Sequence, residues 1–195
     1  MIYDFLIVGG GVAGASAAFE LAAHGSVLLL EAESTTGYHA TGRSAALFTR
    51  NYGSPIVRQV NAASAPFFRS PPAGFCDTPL LTPRGSLTVA PPDHEGGLAE
   101  LLSMSEPGEE ISLIDPKDAC EMVPFLRQDR VGYAAFEANV TDIDVANVHL
   151  SYLKGAKARG ATVLTKQTVK ALSRQSDVWS VQTAKDTFSA AQIIN

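Results

Sequence analysis

The sequence predicts an α/β fold built on a parallel sheet, and three observations predict it. Tyr3 to Val8 is a continuous apolar run without alternation, which suits a strand buried on both faces. Gly9-Gly10-Gly11-Val12-Ala13-Gly14 breaks that run and leads into an alanine-rich stretch, Ala15 to Ala23, with Phe19 and Leu21 within it and Gly25 where a helix stops. Val27 to Leu30 is a second buried strand ending at Glu31. Strand, glycine turn, helix and strand in about thirty residues make a right-handed βαβ unit with parallel strands.

The remaining elements follow in order. Ser34 to Ser44 is a loop too long to be a mere connection, and Ala45 to Phe48 is expected to begin a short helix. Ser54-Pro55 supplies an N-cap and a first turn, and Ile56, Val57, Val60, Ala63, Phe67 and Phe68 recur behind it at helical spacing. Pro71-Pro72-Ala73-Gly74 ends that helix. Strands are expected at Leu87 to Ala90, Ile111 to Ile114 and Val131 to Phe136, and helices at His94 to Ser105 and from Asp115-Pro116 to before Pro124. Asp144 caps a longer helix, Val145 to Arg159, with Val148, Tyr152 and Leu153 facing inward. The last stretch reads as β: Thr162 to Leu164, Val169 to Leu172, Val178 to Thr183 and Gln192 to Asn195. The expected organisation is a discontinuous nucleotide-binding domain, 1–48 and 145–195, around an inserted α+β portion, 49–144.

Composition narrows the function classes. A net charge of −5, with scattered lysines and arginines, gives no electrostatic footprint for nucleic acid. No stretch reaches the ~18 apolar residues of a spanning helix, and the first residues lack a basic signal region. A cytoplasmic location is expected, or the surface of the inner membrane if electrons pass to a quinone. Cys76 and Cys120 stand far apart and are expected to be buried free thiols. His94 and His149 have no companions at ligand spacing, so no metal site is expected.

Gly9-x-Gly11-x-x-Gly14 is a weak signal alone, but its full context is present: a strand before, a helix after and an acidic residue closing the second strand. Gly9 permits the tight turn, Gly11 lets a pyrophosphate approach the backbone, and Gly14 lets helix and strand pack closely. The helix dipole favours an anion there by about 0.3–1 kcal/mol. Glu31 can accept hydrogen bonds from both ribose hydroxyls and would repel a 2′-phosphate. The fold is therefore expected to be Rossmann-like and to bind an ADP moiety. The loop Gly37 to Ala46 decides between FAD and NAD, because it can run along an extended cofactor where an NAD enzyme would more often continue with another βα unit.

At this loop the sequence resembles the D-amino-acid oxidase superfamily of FAD-dependent oxidoreductases, and within it the bacterial D-arginine and related D-amino-acid dehydrogenases. The segments that carry the likeness are Gly37-Tyr38-His39-Ala40-Thr41-Gly42-Arg43-Ser44-Ala45-Ala46, Pro71 to Cys76, Pro79-Leu80-Leu81 with Pro83-Arg84, and Asp142-Ile143-Asp144. The resemblance implies oxidation of the Cα–N bond of a D-amino acid, with hydride passing to flavin N5 and an imino acid as product. Glycine, sarcosine or another amine is the alternative substrate, and a non-catalytic flavin-binding chain or subunit is a further alternative. It implies that Gly9, Gly11, Ala13, Gly14, Glu31, Ala32, Ala40, Thr41, Gly42, Arg43, Ser44, Ala45 and Ala46 bind FAD, and that Val169 contacts the adenine side through its backbone. It also places Thr49, Tyr52, Leu47 and Ser86 at the substrate end, with the Tyr52 hydroxyl a candidate ligand for the substrate carboxylate.

Two departures from the family modify these expectations. Arginine-oxidising relatives carry an acidic residue where this chain has Ser86, and a histidine near the flavin where it has Leu47, which favours a neutral or apolar substrate. The family also continues past the final strand with a C-terminal half that supplies a substrate-carboxylate arginine. The chain is accordingly expected to be an N-terminal portion, truncated relative to the family or completed by a partner chain. Within the loop, His39 is either a covalent flavin anchor or a histidine satisfied by backbone groups, and Arg43 either faces the cofactor or orders the loop through a salt bridge.

Overall fold

The computed structural model describes residues 1–195 apart from the side chain of Glu95. In chain order its elements are β1 (Ile2–Val8), α1 (Val12–Leu21), β2 (Val27–Leu30), a 3-10 turn (Thr41–Arg43), β3 (Leu47–Phe48), α2 (Pro55–Arg69), β4 (Leu81–Pro83) and β5 (Ser86–Ala90). There follow α3 (Glu95–Ser103), β6 (Ile111–Ile114), α4 (Pro116–Met122), a second 3-10 turn (Gln128–Arg130), β7 (Tyr133–Glu137) and β8 (Thr141–Ile143). The chain closes with α5 (Val145–Ala158), β9 (Thr162–Leu164), β10 (Val169–Gln175), β11 (Val178–Thr183) and β12 (Thr187–Ile194). It divides into two compact units, one of Met1–Ala45, Ala73–Thr78 and Asp144–Asn195, the other of Ala46–Pro72 and Pro79–Ile143.

The first unit holds one sheet in the order β10-β11-β12-β1-β2-β9. β12, β1, β2 and β9 run parallel, while β10 and β11 are antiparallel additions. All four residues of β2 are buried, because the pleat sends its side chains into a core on each face. Ile7, Val27 and Leu29 pack with Ala15 and Ala18 of α1 and Leu153 and Ala156 of α5. Leu6, Leu28 and Leu30 pack the other way, with Val181 and Ala190. The two helices meet closely: a Cβ added to Gly155 would lie 2.5 Å from the Phe19 ring, and the Arg159 guanidinium covers that ring at 3.7 Å. At the start of the sheet the Asp4 carboxylate accepts from the Ser26 amide and hydroxyl, both at 2.7 Å, fixing the register of β1 against β2.

The second unit carries two antiparallel sheets, β3-β8-β4 and β5-β7-β6. Leu98 of α3 packs on Ile111 and Ala135 of the latter. Its polar interior is organised by Asn51, 5% exposed. The Asn51 amide group donates to the Glu109 carbonyl at 2.8 Å and to Glu137 Oε2 at 2.9 Å, and its oxygen accepts from the Glu106 amide at 3.1 Å. The buried Glu109 carboxylate is held by Arg69 at 2.8 Å and Arg50 at 3.3 Å.

Several boundaries differ from the sequence reading. The short helix expected from Ala45 does not form: Ala46 takes a left-handed φ of 56° and Leu47–Phe48 pairs as a strand with Asp142 and Thr141. β12 starts at Thr187 rather than Gln192, because its antiparallel pairing with β11 begins there. The apolar stripe of α2 is not all inward, since Ile56 and Val60 are 73% and 58% exposed. Residues 73–78 cluster with the first unit and not with the insertion, because Phe75 packs edge-on against Phe19 and Tyr152 with centroids 5.7 and 4.9 Å away. Cys76 and Cys120 are free and half-buried. No helix among the described residues is long and apolar enough to cross a membrane.

Candidate functional site

Where β1 ends the chain must turn sharply into α1, and the glycines make that turn possible. Gly9 adopts φ 104°, closed to most side chains, and its amide bonds the Leu30 carbonyl at 2.8 Å, tying the turn to β2. A Cβ on Gly14 would be driven into the Gly9 carbonyl, so α1 crosses the turn closer than alanine allows. Gly10, which the sequence reading gave no role, is also constrained: a Cβ there would lie 2.8 Å from Thr36 Cγ2 and 2.9 Å from Glu31 Oε2.

The first amides of a helix have no partner inside it. Here the Val12 amide donates to Thr41 Oγ1 at 2.9 Å and the Gly10 amide to Glu31 Oε2 at 2.8 Å. The amides of Gly11, Ala13 and Gly14 make no hydrogen bond with the described residues. Glu31 is only 8% exposed, and its second oxygen accepts from the Glu33 amide at 2.9 Å. Each carboxylate oxygen retains capacity for another donor. Between the turn, Glu31 and residues 37–41 lies an open crevice of about 270 Å³.

Of the predicted cofactor residues, Gly9, Gly11, Glu31, Ala40 and Thr41 line this crevice, and Ala13 and Gly14 follow it in α1. Ala32 is exposed directly after Glu31. Gly42 anchors the loop by donating to the Gly37 carbonyl at 2.7 Å, and Ser44 and Ala45 continue it outward. Arg43 forms no ion pair among the described residues and lies over the Tyr38 ring at 5.3 Å. His39 has no backbone partner among the described residues: its Nε2 is 2.9 Å from Glu33 Oε1. Val169 opens β10 and is not among the crevice-lining residues, although the amide of nearby Gln167 bonds the Glu31 carbonyl at 2.8 Å.

Ala46 and the predicted substrate residues fall in the second unit. Leu47 sits on β3 and is 38% exposed, and Tyr52 is 71% exposed. Ser86 opens β5 opposite Glu137. The Thr49 hydroxyl is already engaged, donating to Glu137 Oε2 at 3.2 Å and accepting from the Asn51 amide at 3.1 Å.

Sequence reasoning weighed one residue of the site only as a metal ligand and gave it no role. His149, 5% exposed on α5, places Nε2 2.8 Å from the Gly10 carbonyl. Its only signal in the sequence is a polar residue on the inward face beside Val148 and Leu153.

A βαβ unit with unpartnered amides at its glycine turn and a buried carboxylate closing its second strand defines a dinucleotide-binding protein. The family model described as FAD dependent oxidoreductase, DAO, matches residues 4–195, and the chain belongs to that family. Solved structures agree in fold. Glycine oxidase from Geobacillus kaustophilus superposes with TM-score 0.81 at 24% identity, over 98% of this chain and 54% of that one. L-alpha-glycerophosphate oxidase from Mycoplasma pneumoniae, with FAD bound, gives 0.85 at 18% over 99% and 53%. NikD, an amino acid oxidase essential for nikkomycin biosynthesis, gives 0.79 at 25% over 98% and 50%. The chain thus spans about half the length of the structures it matches. FAD is the family's cofactor, and the crevice fits it: three amides are left open to an anion, and the absence of a side chain at Gly11, where a Cβ would come within 3.2 Å of Thr41 Oγ1, keeps the backbone there open to close approach.

Proposed function

We propose that this chain holds FAD in its first unit and takes part in oxidising the Cα–N bond of a neutral or apolar D-amino acid. The observation that carries the reading is the set of open amides at Gly11, Ala13 and Gly14 beside Glu31. When bound, FAD supplies the two-electron acceptor that takes hydride at N5. The three amides and the α1 dipole hold the pyrophosphate, and the free lone pairs of Glu31 accept from the ribose hydroxyls. Ala32 and the loop from Ala40 to Ala46 follow the cofactor, with Val169 meeting the adenine side through its backbone.

At the substrate end, the exposed Tyr52 hydroxyl donates to the substrate carboxylate. Leu47 and Ser86 stand where arginine-oxidising relatives carry a histidine and an acid, so neither position offers a counter-charge to a cationic tail. Thr49 lines it without its hydroxyl, which Glu137 and Asn51 occupy. No side-chain base is required, because an amine of ordinary pKa is already partly neutral at working pH. The likeness to NikD, an amino acid oxidase, supports an amino-acid substrate.

The test is anaerobic titration of the FAD-loaded protein while flavin absorbance is followed. Neutral D-amino acids are expected to bleach the flavin at lower concentration than D-arginine does. Bleaching by glycine or sarcosine alone moves the substrate to a simple amine. Tightly bound flavin that no amine bleaches would leave a binding chain without catalysis.

A further inference from the structure

His149 is a buried imidazole that the proposed chemistry does not use, yet it touches the turn at the Gly10 carbonyl. Its Nε2 lies 2.8 Å from the Gly10 oxygen. A carbonyl only accepts, so Nε2 carries the proton. The same oxygen accepts from the Gly37 amide at 3.0 Å. Gly37 has φ 73°, and a Cβ there would come within 2.9 Å of His149 Cε1, so the loop packs directly on the ring. The ring itself is carried by α5, which close packing of Gly155 and Arg159 on Phe19 locks to α1.

The Gly10 carbonyl and the Gly11 amide belong to one peptide unit. In a trans peptide these two groups point in opposite directions, and no cis bond occurs among the described residues. Holding the carbonyl toward His149 therefore turns the Gly11 N–H away from it. The alternative partner for that carbonyl is the Gly14 amide, four residues on in helical register. Capture by Gly14 would extend α1 backward, consume one of the three open amides and rotate a second.

We infer that His149 is a positioning residue for the cofactor: by donating from Nε2 to Gly10 it aims the Gly11 N–H and keeps the Gly14 N–H free for the dinucleotide's pyrophosphate. The inference concerns the turn and rests on the FAD-binding part of the function proposed above, not on the substrate. His149→Leu keeps an apolar side chain of similar bulk without a donor. His149→Gln restores a donor at nearly the place of Nε2.

Binding of FAD and of ADP is measured by fluorescence and calorimetry on the whole chain, with melting of the cofactor-free proteins alongside. His149→Leu is expected to weaken both ligands about tenfold and His149→Gln to recover most of that loss. A glutamine variant as weak as the leucine one, or a leucine variant with wild-type affinity, overturns the inference. Nitrogen-15 chemical shifts of the imidazole in the cofactor-free wild type give a readout independent of folding in the variants and of ligand binding. A protonated Nε2 is expected, and a bare Nε2 would reject the hydrogen bond on which the inference stands.

Discussion

Replacing Glu31 by alanine separates two roles that a carboxylate at this position performs. A carboxylate that only grips a ribose would leave the cofactor-free protein unaffected when removed, which is what the motif alone leads one to expect. The structure predicts otherwise. Glu31 Oε2 accepts from the Gly10 amide at 2.8 Å and Oε1 from the Glu33 amide at 2.9 Å, in a site only 8% exposed. Truncation leaves two amides without acceptors where water reaches them poorly, at about 1–3 kcal/mol each. Allowing for partial rehydration, the loss is about 2–4 kcal/mol. At about 2–4 °C per kcal/mol for a chain of this length, melting falls by about 5–15 °C before any cofactor is added. Circular dichroism of the cofactor-free variant measures this directly. Glu31→Gln should fall between, since one of its two atoms remains an acceptor while the other confronts an N–H with an NH2. A cofactor-free Glu31→Ala melting within about 2 °C of wild type would refute the reasoning.

Thr41→Val removes the acceptor for the Val12 amide and should lower stability by about 0.5–2 kcal/mol, read as a drop in the cofactor-free melting temperature; an unchanged melt would show the cap is dispensable. Gly14→Ala forces a methyl group into the Gly9 carbonyl, so the variant should lose FAD binding or fail to accumulate as folded protein, and normal FAD retention would contradict the observed closeness of α1 to the turn. Asn51→Ala strands the Glu106 amide and one side of the Glu109 and Glu137 network; a loss of about 2–4 kcal/mol in urea unfolding is expected, with no shift in FAD affinity. Burial, with a smaller contribution from the Glu20 charge, raises the Tyr152 phenol above its ordinary 10.0. Because the folded value exceeds the unfolded one, this stabilisation is complete below pH 10 and is lost as the pH climbs past it, so the wild type should lose more stability than Tyr152→Phe between about pH 9.5 and 11.

The parts of the site that were legible in sequence are those whose physics is local. Gly9, Gly11 and Gly14 answer to backbone angles and close approach within one turn, and Glu31 is fixed by the length of β2. Asp144 and Ser54 announce their helices because a cap is satisfied within three residues, at Asn147 and Val57. His149 was illegible because its partner is 139 positions away and a single inward histidine carries no spacing signal. Gly10 was hidden in the middle of a glycine run, where the residues that forbid a side chain, Thr36 and Glu31, arrive from later in the chain. The strands β4 and β8 are three residues each, too short for alternation to register, and exist through mutual pairing. The inward face of α2 misled for a related reason: helical spacing marks an apolar stripe without saying that anything covers it.

The route of the chain between its two units has a consequence for how it is made. It leaves the first unit after Ala45, returns for Ala73–Thr78, departs again, and comes back at Asp144. β1 (Ile2–Val8) is translated well before one of its two flanking neighbours, β12 (Thr187–Ile194), from which the whole second unit separates it. The Ala46–Pro72 and Pro79–Ile143 segments are therefore all available before the nucleotide-binding sheet can be completed. Closure of that sheet is a long-range event of the kind that sets a slow folding rate. Until then the nascent β1–α1–β2 unit offers an open strand edge, a natural point for chaperone engagement and for misassembly.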